Sequence, residues 1–151
     1  MGNQEFELTA YCGLYCGDCI HYRSRAGDLA RDLMSELQNV EYEKYTKVKS
    51  IPIPEFEHYG EFKKVLAEIV RLQCNQPCRV GGGCPAFICG IVACCQDKGF
   101  DGCWECAEFE ACGEFEFLEK FHGDGPEKNL KKIKELGPDA WSGHRHKFFK
   151  W

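Results

Sequence analysis

The sequence predicts a mainly α fold, a small helical domain with irregular cysteine-rich metal-binding loops. Three observations carry that expectation. Apolar residues recur at helical spacing in several stretches, most clearly Leu29, Leu33, Leu37 and Val40. Gly and Pro break the chain between those stretches, as at Ile51-Pro52-Ile53-Pro54 and Gly137-Pro138. Twelve cysteines fall in four tight triplets, Cys12/Cys16/Cys19, Cys74/Cys78/Cys84, Cys89/Cys94/Cys95 and Cys103/Cys106/Cys112. Short gaps converge thiolates on one ion more easily than they build long-range disulfides.

Taken in order, Glu5-Phe6-Glu7-Leu8-Thr9-Ala10-Tyr11 alternates and predicts a short strand. The first triplet follows, and Asp18 is placed to cap a short helix through Tyr22. Asp28 is the expected N-cap of a helix running to Val40. The Pro52 and Pro54 pair predicts an extended spacer, because Pro disfavours helix at its predecessor. Phe62, Val65, Leu66, Ile69, Val70 and Gln73 trace a second amphipathic helix into Cys74. A Gly-rich loop spans 74–85, and a third helix is expected from about Ala86 to Lys98, stopped by Gly99. A Glu-rich, cysteine-bearing loop covers 100–111. Phe115, Leu118 and Phe121 mark a fourth helix, and Leu130, Ile133 and Leu136 a fifth.

At 151 residues, with 44% apolar side chains, the chain is expected to be a single metal-binding domain, 1–151. Residues 24–73 read as a helical insertion between cysteine clusters, and 142–151 as a basic aromatic tail. A net charge of −5 gives no general attraction to nucleic acid or acidic membranes. No run of 18 apolar residues is present, so no membrane helix is expected. The opening Met1–Phe6 lacks a basic-then-apolar pattern, which points to a cytoplasmic, reducing setting where clustered cysteines act as ligands.

Cys12-x3-Cys16-x2-Cys19 gathers three thiols at a turn made by Gly13 and Gly17. Cys103-x2-Cys106 has knuckle spacing, with Cys112 six residues on. Cys89 and Cys94 stand about one and a half helical turns apart. They either serve different sites or mark a broken helix. The thiols suffice for two or three four-thiolate zinc sites. Some cysteines serve equally well as small core residues, Cys84 and Cys95 above all, since neighbouring Cys94 and Cys95 point about 100° apart on a helix.

Tyr11-Cys12-Gly13-Leu14-Tyr15-Cys16-Gly17-Asp18-Cys19 resembles the opening of a bacterial and archaeal family of cysteine-rich domains of unknown function. Cys74-x3-Cys78-Arg79-x-Gly81-Gly82-Gly83, Cys89-x-Ile91-x2-Cys94 and Cys103-x2-Cys106-x2-Phe109-x2-Cys112 are similar to its later motifs. So is Asn129-Leu130-x2-Ile133-x2-Leu136-Gly137-x3-Trp141. The likeness covers roughly 12–23 and 74–141, with Ala111 departing from a usual Pro. It implies zinc binding without any activity. As ligands it implies Cys12, Cys16, Cys19, Cys74, Cys78, Cys89, Cys94, Cys103, Cys106 and Cys112, leaving Cys84 and Cys95 as extras.

Other readings compete. An iron–sulfur cluster in electron transfer or redox sensing is the main alternative cofactor, although the regular spacing of a ferredoxin is absent. The first triplet has the spacing used by radical enzymes that employ S-adenosylmethionine, but the chain is too short and too helical for their barrel. Cys16-x2-Cys19 and Cys103-x2-Cys106 have dithiol form, yet Asp18 and Glu105 would raise a neighbouring thiol's pKa. A nucleic-acid or protein interaction module is a third class, resting on Lys128, Lys131, Lys132, Lys134, Arg145, Lys147 and Lys150 interleaved with Trp141, Phe148, Phe149 and Trp151. A solvated helix face with a packed aromatic tail accounts for the same residues. His21 is either a ligand or a partly buried helix residue. No Ser–His–Asp set, phosphate loop or H-E-x-x-H motif is recognisable, so the sequence does not decide whether the chain is an enzyme.

Overall fold

The structure, a computed structural model, describes residues 2–83 and 89–147. The expectations for Cys84, for the start of a helix at Ala86 and for residues 148–151 lie outside the described residues. Seven α-helices appear among the described residues: α1 Gly2–Leu8, α2 Arg25–Asn39, α3 Tyr42–Lys49, α4 Tyr59–Arg71, α5 Gly90–Lys98, α6 Glu116–His122 and α7 Gly125–Leu136. Short 3-10 turns link them, three of which carry cysteines: Cys16–Asp18, Cys78–Val80 and Cys103–Glu105. No strand occurs among the described residues, only isolated bridges pairing Thr9 with Tyr15 and Tyr22 with Cys74. The fold is mainly helical, and none of the described helices is long and apolar enough to cross a membrane.

The chain divides into two compact units. The first is discontinuous, Met1–Tyr22 with Cys74–Trp151, and the second is Arg23–Gln73.

In the second unit, α2 and α4 pack antiparallel through Ala30 and Leu66, both buried. Gln73, just past α4, closes the open end. Its Nε2 donates to Ser24 O at 3.0 Å and to Asp28 Oδ1 at 3.0 Å, and its Oε1 accepts from Arg31 at 2.7 Å. Gly27 lets the Gln73 side chain lie against α2, since a Cβ there would stand 2.7 Å from it. The N-cap of α2 is Ser24, whose hydroxyl accepts from Ala26 N at 3.1 Å. This corrects the expected Asp28 cap: Asp28 is committed to Gln73 and Arg31 and sits a turn inside the helix. Helix α3 was not expected, because its ring contacts come from Tyr42 and Tyr45 rather than from an aliphatic stripe. They cluster with Phe56 and Tyr59 at centroid distances of 5.4–6.0 Å. The expected extended spacer is also corrected, as Pro54 opens a 3-10 turn through His58, where its fixed φ suits the first helical position.

The first unit gathers α1, α5, α6 and α7 around Ile91, Leu118, Leu130, Ile133 and Trp141, of which Leu130 and Trp141 are wholly inaccessible to solvent. Residues 5–8 are helical, not a strand. Glu5 and Thr9 stand one turn apart, and Thr9 Oγ1 donates to Glu5 O at 2.9 Å. Thr9 is fully buried and acts as a junction. Its Oγ1 also accepts from Trp141 Nε1 at 2.9 Å, and its carbonyl accepts from Arg79 Nε at 3.0 Å. Asn129, on α7, grips the chain at His146, accepting from its N–H at 2.7 Å and donating to its carbonyl at 3.1 Å.

Asp18 does not cap a helix through Tyr22; that segment is a 3-10 turn followed by loop. Its carboxylate instead receives Arg145 through two hydrogen bonds at 2.6 and 2.8 Å, with Lys147 at 3.1 Å. Burial pushes the Asp18 carboxyl up, but Arg145 and Lys147 outweigh it and hold the group below the usual carboxylate range. The Arg145 guanidinium also lies 4.4 Å over the Tyr15 ring.

Candidate functional site

The sequence places the cysteines in four triplets, but the fold regroups them. The loop carrying Cys12 and Cys16 lies against α7 because Gly13 takes a left-handed φ of 83°. A Cβ at that position would come within 2.9 Å of Leu130 Cγ and Pro126 O. The 3-10 turn at Cys78–Val80 brings Cys78 to the same place, and Cys89 arrives as the extended residue just before α5. Cys78 accepts a hydrogen bond from the Cys16 thiol, and Cys12 lies within electrostatic reach of Cys78 and Cys89. These four thiols form the first group.

Their protonation follows from their surroundings. The Cys16 hydrogen bond does most to lower Cys78, to about 6, against burial that works to raise it. Tyr11 N–H, the Arg79 charge and Arg79 N–H add to the lowering. Cys16, holding the proton for Cys78, is pushed up, and Cys12 is raised by burial to about 12.

The second group is built on α5 and on the segment 103–112. Gly99, at φ 67°, ends α5 with Gly99 N donating to Gln96 O at 3.2 Å and Phe100 N to Cys95 O at 2.9 Å. The chain then turns back, and Cys103 N donates to Tyr11 O at 2.9 Å. The sulfurs of Cys95 and Cys103 lie 3.6 Å apart in the core. Burial raises both thiols. Cys94 and Cys106 both lie within electrostatic reach of Lys98 and of Cys95. Cys112 lies within reach of Cys103, and so does Cys12 of the first group. Cys112 also lines a cavity of about 400 Å³ with Phe109, Phe115 and Leu130, to which Glu110, Glu119, Asp124 and Glu127 contribute carboxylates.

Cys19 and Cys74 join neither group. Cys19 is exposed, and the Cys74 thiol donates to Gln76 O at 3.1 Å. Cys89 and Cys94 part company because Cys89 precedes α5 whereas Cys94 rides on it. All described cysteines are free thiols. Among the described residues, no three His, Cys, Asp or Glu side chains are gathered into a geometry that would itself hold a metal ion.

Arg79 is the residue that cysteine spacing alone passes over. Its guanidinium is held by Thr9 O and by the rings of Phe6, Tyr11 and Trp104 at 4.1, 4.6 and 5.4 Å. From there its charge reaches both Cys78 and Cys95. Its Nη2 is buried and has no hydrogen-bond partner among the described residues. One signal marks it in the sequence: Arg79 is the only charged side chain between Arg71 and Asp97.

A family model described as "Protein of unknown function (DUF3795)" matches residues 8–117. The chain belongs to this family. The match takes in both thiol groups and Arg79 and stops short of α7 and Trp141. No match was found among curated proteins or among solved structures.

The basic residues near the C-terminus are largely engaged with carboxylates. Lys131 bridges Glu110 and Glu127 at 3.0 and 2.6 Å, and Lys128 meets Asp124 at 2.9 Å. Trp141 is in the core and not on a stacking surface.

Proposed function

We propose that this chain binds zinc through cysteine thiolates and that the metal fastens the loops of the first unit. The observation that carries the reading is the first thiol group. Three segments bring Cys16 into hydrogen-bond contact with Cys78 and set Cys12 within electrostatic reach of Cys78 and Cys89. Four thiolates make a donor set suited to a structural zinc ion. The proton that Cys16 and Cys78 share is one that metal binding would release. Arg79 supplies a positive charge beside a site that would carry net negative charge, which suits a buried four-thiolate centre. A second ion would draw on Cys94, Cys103, Cys106 and Cys112, with Cys95 filling the core between them.

With four thiolates around it, zinc has no open position for water, so the reading is structural and includes no hydrolysis. The chain's own residues account for the rest: Gly13 admits the Cys12–Cys16 loop onto α7, and Thr9 and Trp141 tie that loop to the C-terminal segment.

Metal analysis of anaerobically purified protein, with a visible spectrum of the same sample, tests this. About two colourless zinc ions per chain are expected. Cys16→Ser and Cys78→Ser should each lose one, whereas Cys95→Ala should keep both. Brown protein containing iron and acid-labile sulfide would replace the reading with an iron–sulfur one. Protein free of metal, or unchanged metal content in Cys16→Ser and Cys78→Ser, would reject the site.

A further inference from the structure

The second unit leaves most of its apolar side chains outside. Across 51 residues its only bulky buried side chains are Tyr59 and Leu66. Leu29 and Leu33 on α2 and Phe62, Val65 and Ile69 on α4 remain 36–58% exposed. Their placement is ordered. Taking the buried Ala30 and Leu66 as the facing positions, at about 100° per residue, all five project to the same rotational side of their helices. In an antiparallel pair that puts them on one common face. Helix α3 takes the opposite side, where Lys63 meets Glu43 at 2.7 Å.

Charge is sorted the same way. Asp32 and Glu36 on α2 and Glu61 and Glu68 on α4 edge the apolar face, with Arg25 the only cation beside them. Arg31, Lys63, Lys64 and Arg71 turn to the other side. The pairs Lys64–Glu61 and Arg71–Glu68 are exposed and contribute little. No ion pair engages Asp32 or Glu36 among the described residues.

We infer that this face is a docking surface for a cationic amphipathic helix from another protein. Such a helix would lay its apolar stripe between α2 and α4 and set its Lys or Arg residues against the two acidic edges. Edge charge argues against a second copy. Stacking the face on itself, in either two-fold arrangement, would set acidic edges on acidic edges.

The test uses the whole chain and a fluorescein-labelled synthetic helix of about 18 residues, long enough to span α2 and α4. The peptide carries Leu at i, i+3, i+4 and i+7 and Lys elsewhere, and a matched Leu/Glu peptide serves as control. Anisotropy titration should show the Leu/Lys peptide binding at least about tenfold more tightly than its acidic counterpart. Leu33→Ser with Val65→Ser should weaken it by about tenfold or more at unchanged helicity. Glu36→Lys with Glu61→Lys, both at exposed positions, should reverse the preference between peptides even if the apolar variant misfolds. Arg31→Ser, on the opposite side, should have no effect. Equal binding of both peptides, or wild-type binding by the charge-reversed variant, would overturn the proposal. So would a concentration-dependent doubling of mass that Leu33→Ser with Val65→Ser abolishes, which would give the face to a second copy.

Discussion

The two units of this chain are held together by different means. The first is tied across long sequence distances: Thr9 binds Trp141 and Arg79, Asp18 binds Arg145, and Cys16 meets Cys78. The second relies on neighbours, with α2 against α4, a ring cluster around Tyr42, and exposed ion pairs mostly three or four residues apart. The second unit closes over separations such as the 49 residues between Ser24 and Gln73, whereas the junction at Thr9 in the first spans 70 and 132 residues. A small set of well-placed polar groups and thiols does in the first unit what aliphatic packing leaves unfinished in the second.

Chelation should separate the two most strongly. Structural zinc in small domains contributes on the order of 10 kcal/mol or more to folding. On the zinc reading proposed above, chelation is expected to abolish the near-ultraviolet dichroism of Trp104 and Trp141 while much of the far-ultraviolet helix signal of α2 and α4 survives. Equal loss of both signals would mean that the units do not differ in this way.

Next in size is Trp141→Ala. Removing a fully buried indole costs about 3–5 kcal/mol, and it also leaves Thr9 Oγ1 without a donor. A urea titration reads this directly.

Asp18→Asn should cost about 1.5–3 kcal/mol at neutral pH, since it breaks a mostly buried, charge-assisted pair with Arg145. The wild-type carboxyl is held below its unfolded value of about 3.9. Its contribution is therefore complete above that value and is lost as pH falls through the lower folded one. The stability gap between wild type and variant should close in acid.

Ser24→Ala is the smallest, about 1 kcal/mol from the lost cap of α2. It should lower the melting of the second unit and leave metal content untouched.

How far the sequence reveals this depends on the kind of interaction. The stripes of α2, α4 and α7 are readable because each repeats at helical spacing. Residues 5–8 misled because Glu5-Phe6-Glu7-Leu8 alternates like a strand, and what decides for helix is Thr9, whose contacts come from residues 79 and 141. Helix α3 escaped because its aromatic residues find partners at Phe56 and Tyr59, beyond its own span. Cysteine spacing singles out the thiols as candidates, but not which of them the fold brings near one another. Cys16 meets Cys78 only because Gly13 lets its loop settle on α7. Cys19, three residues further on, faces outward.

The discontinuity of the first unit also orders events in time. Cys12 and Cys16 leave the ribosome well before Cys78 and Cys89 exist. At roughly 5–20 residues per second, the stretch from Cys16 to Cys89 takes on the order of 4–15 s. Through that interval the early thiols have none of their later companions, while α2, α3 and α4 can already pair. Cys74 N donates to His21 O at 2.8 Å, so the two arms of the first unit rejoin directly where the second begins and ends. Nascent chains therefore pass through a stage in which the later-finished unit is still two unjoined halves, and oxidants reaching Cys12 and Cys16 then would meet thiols not yet enclosed.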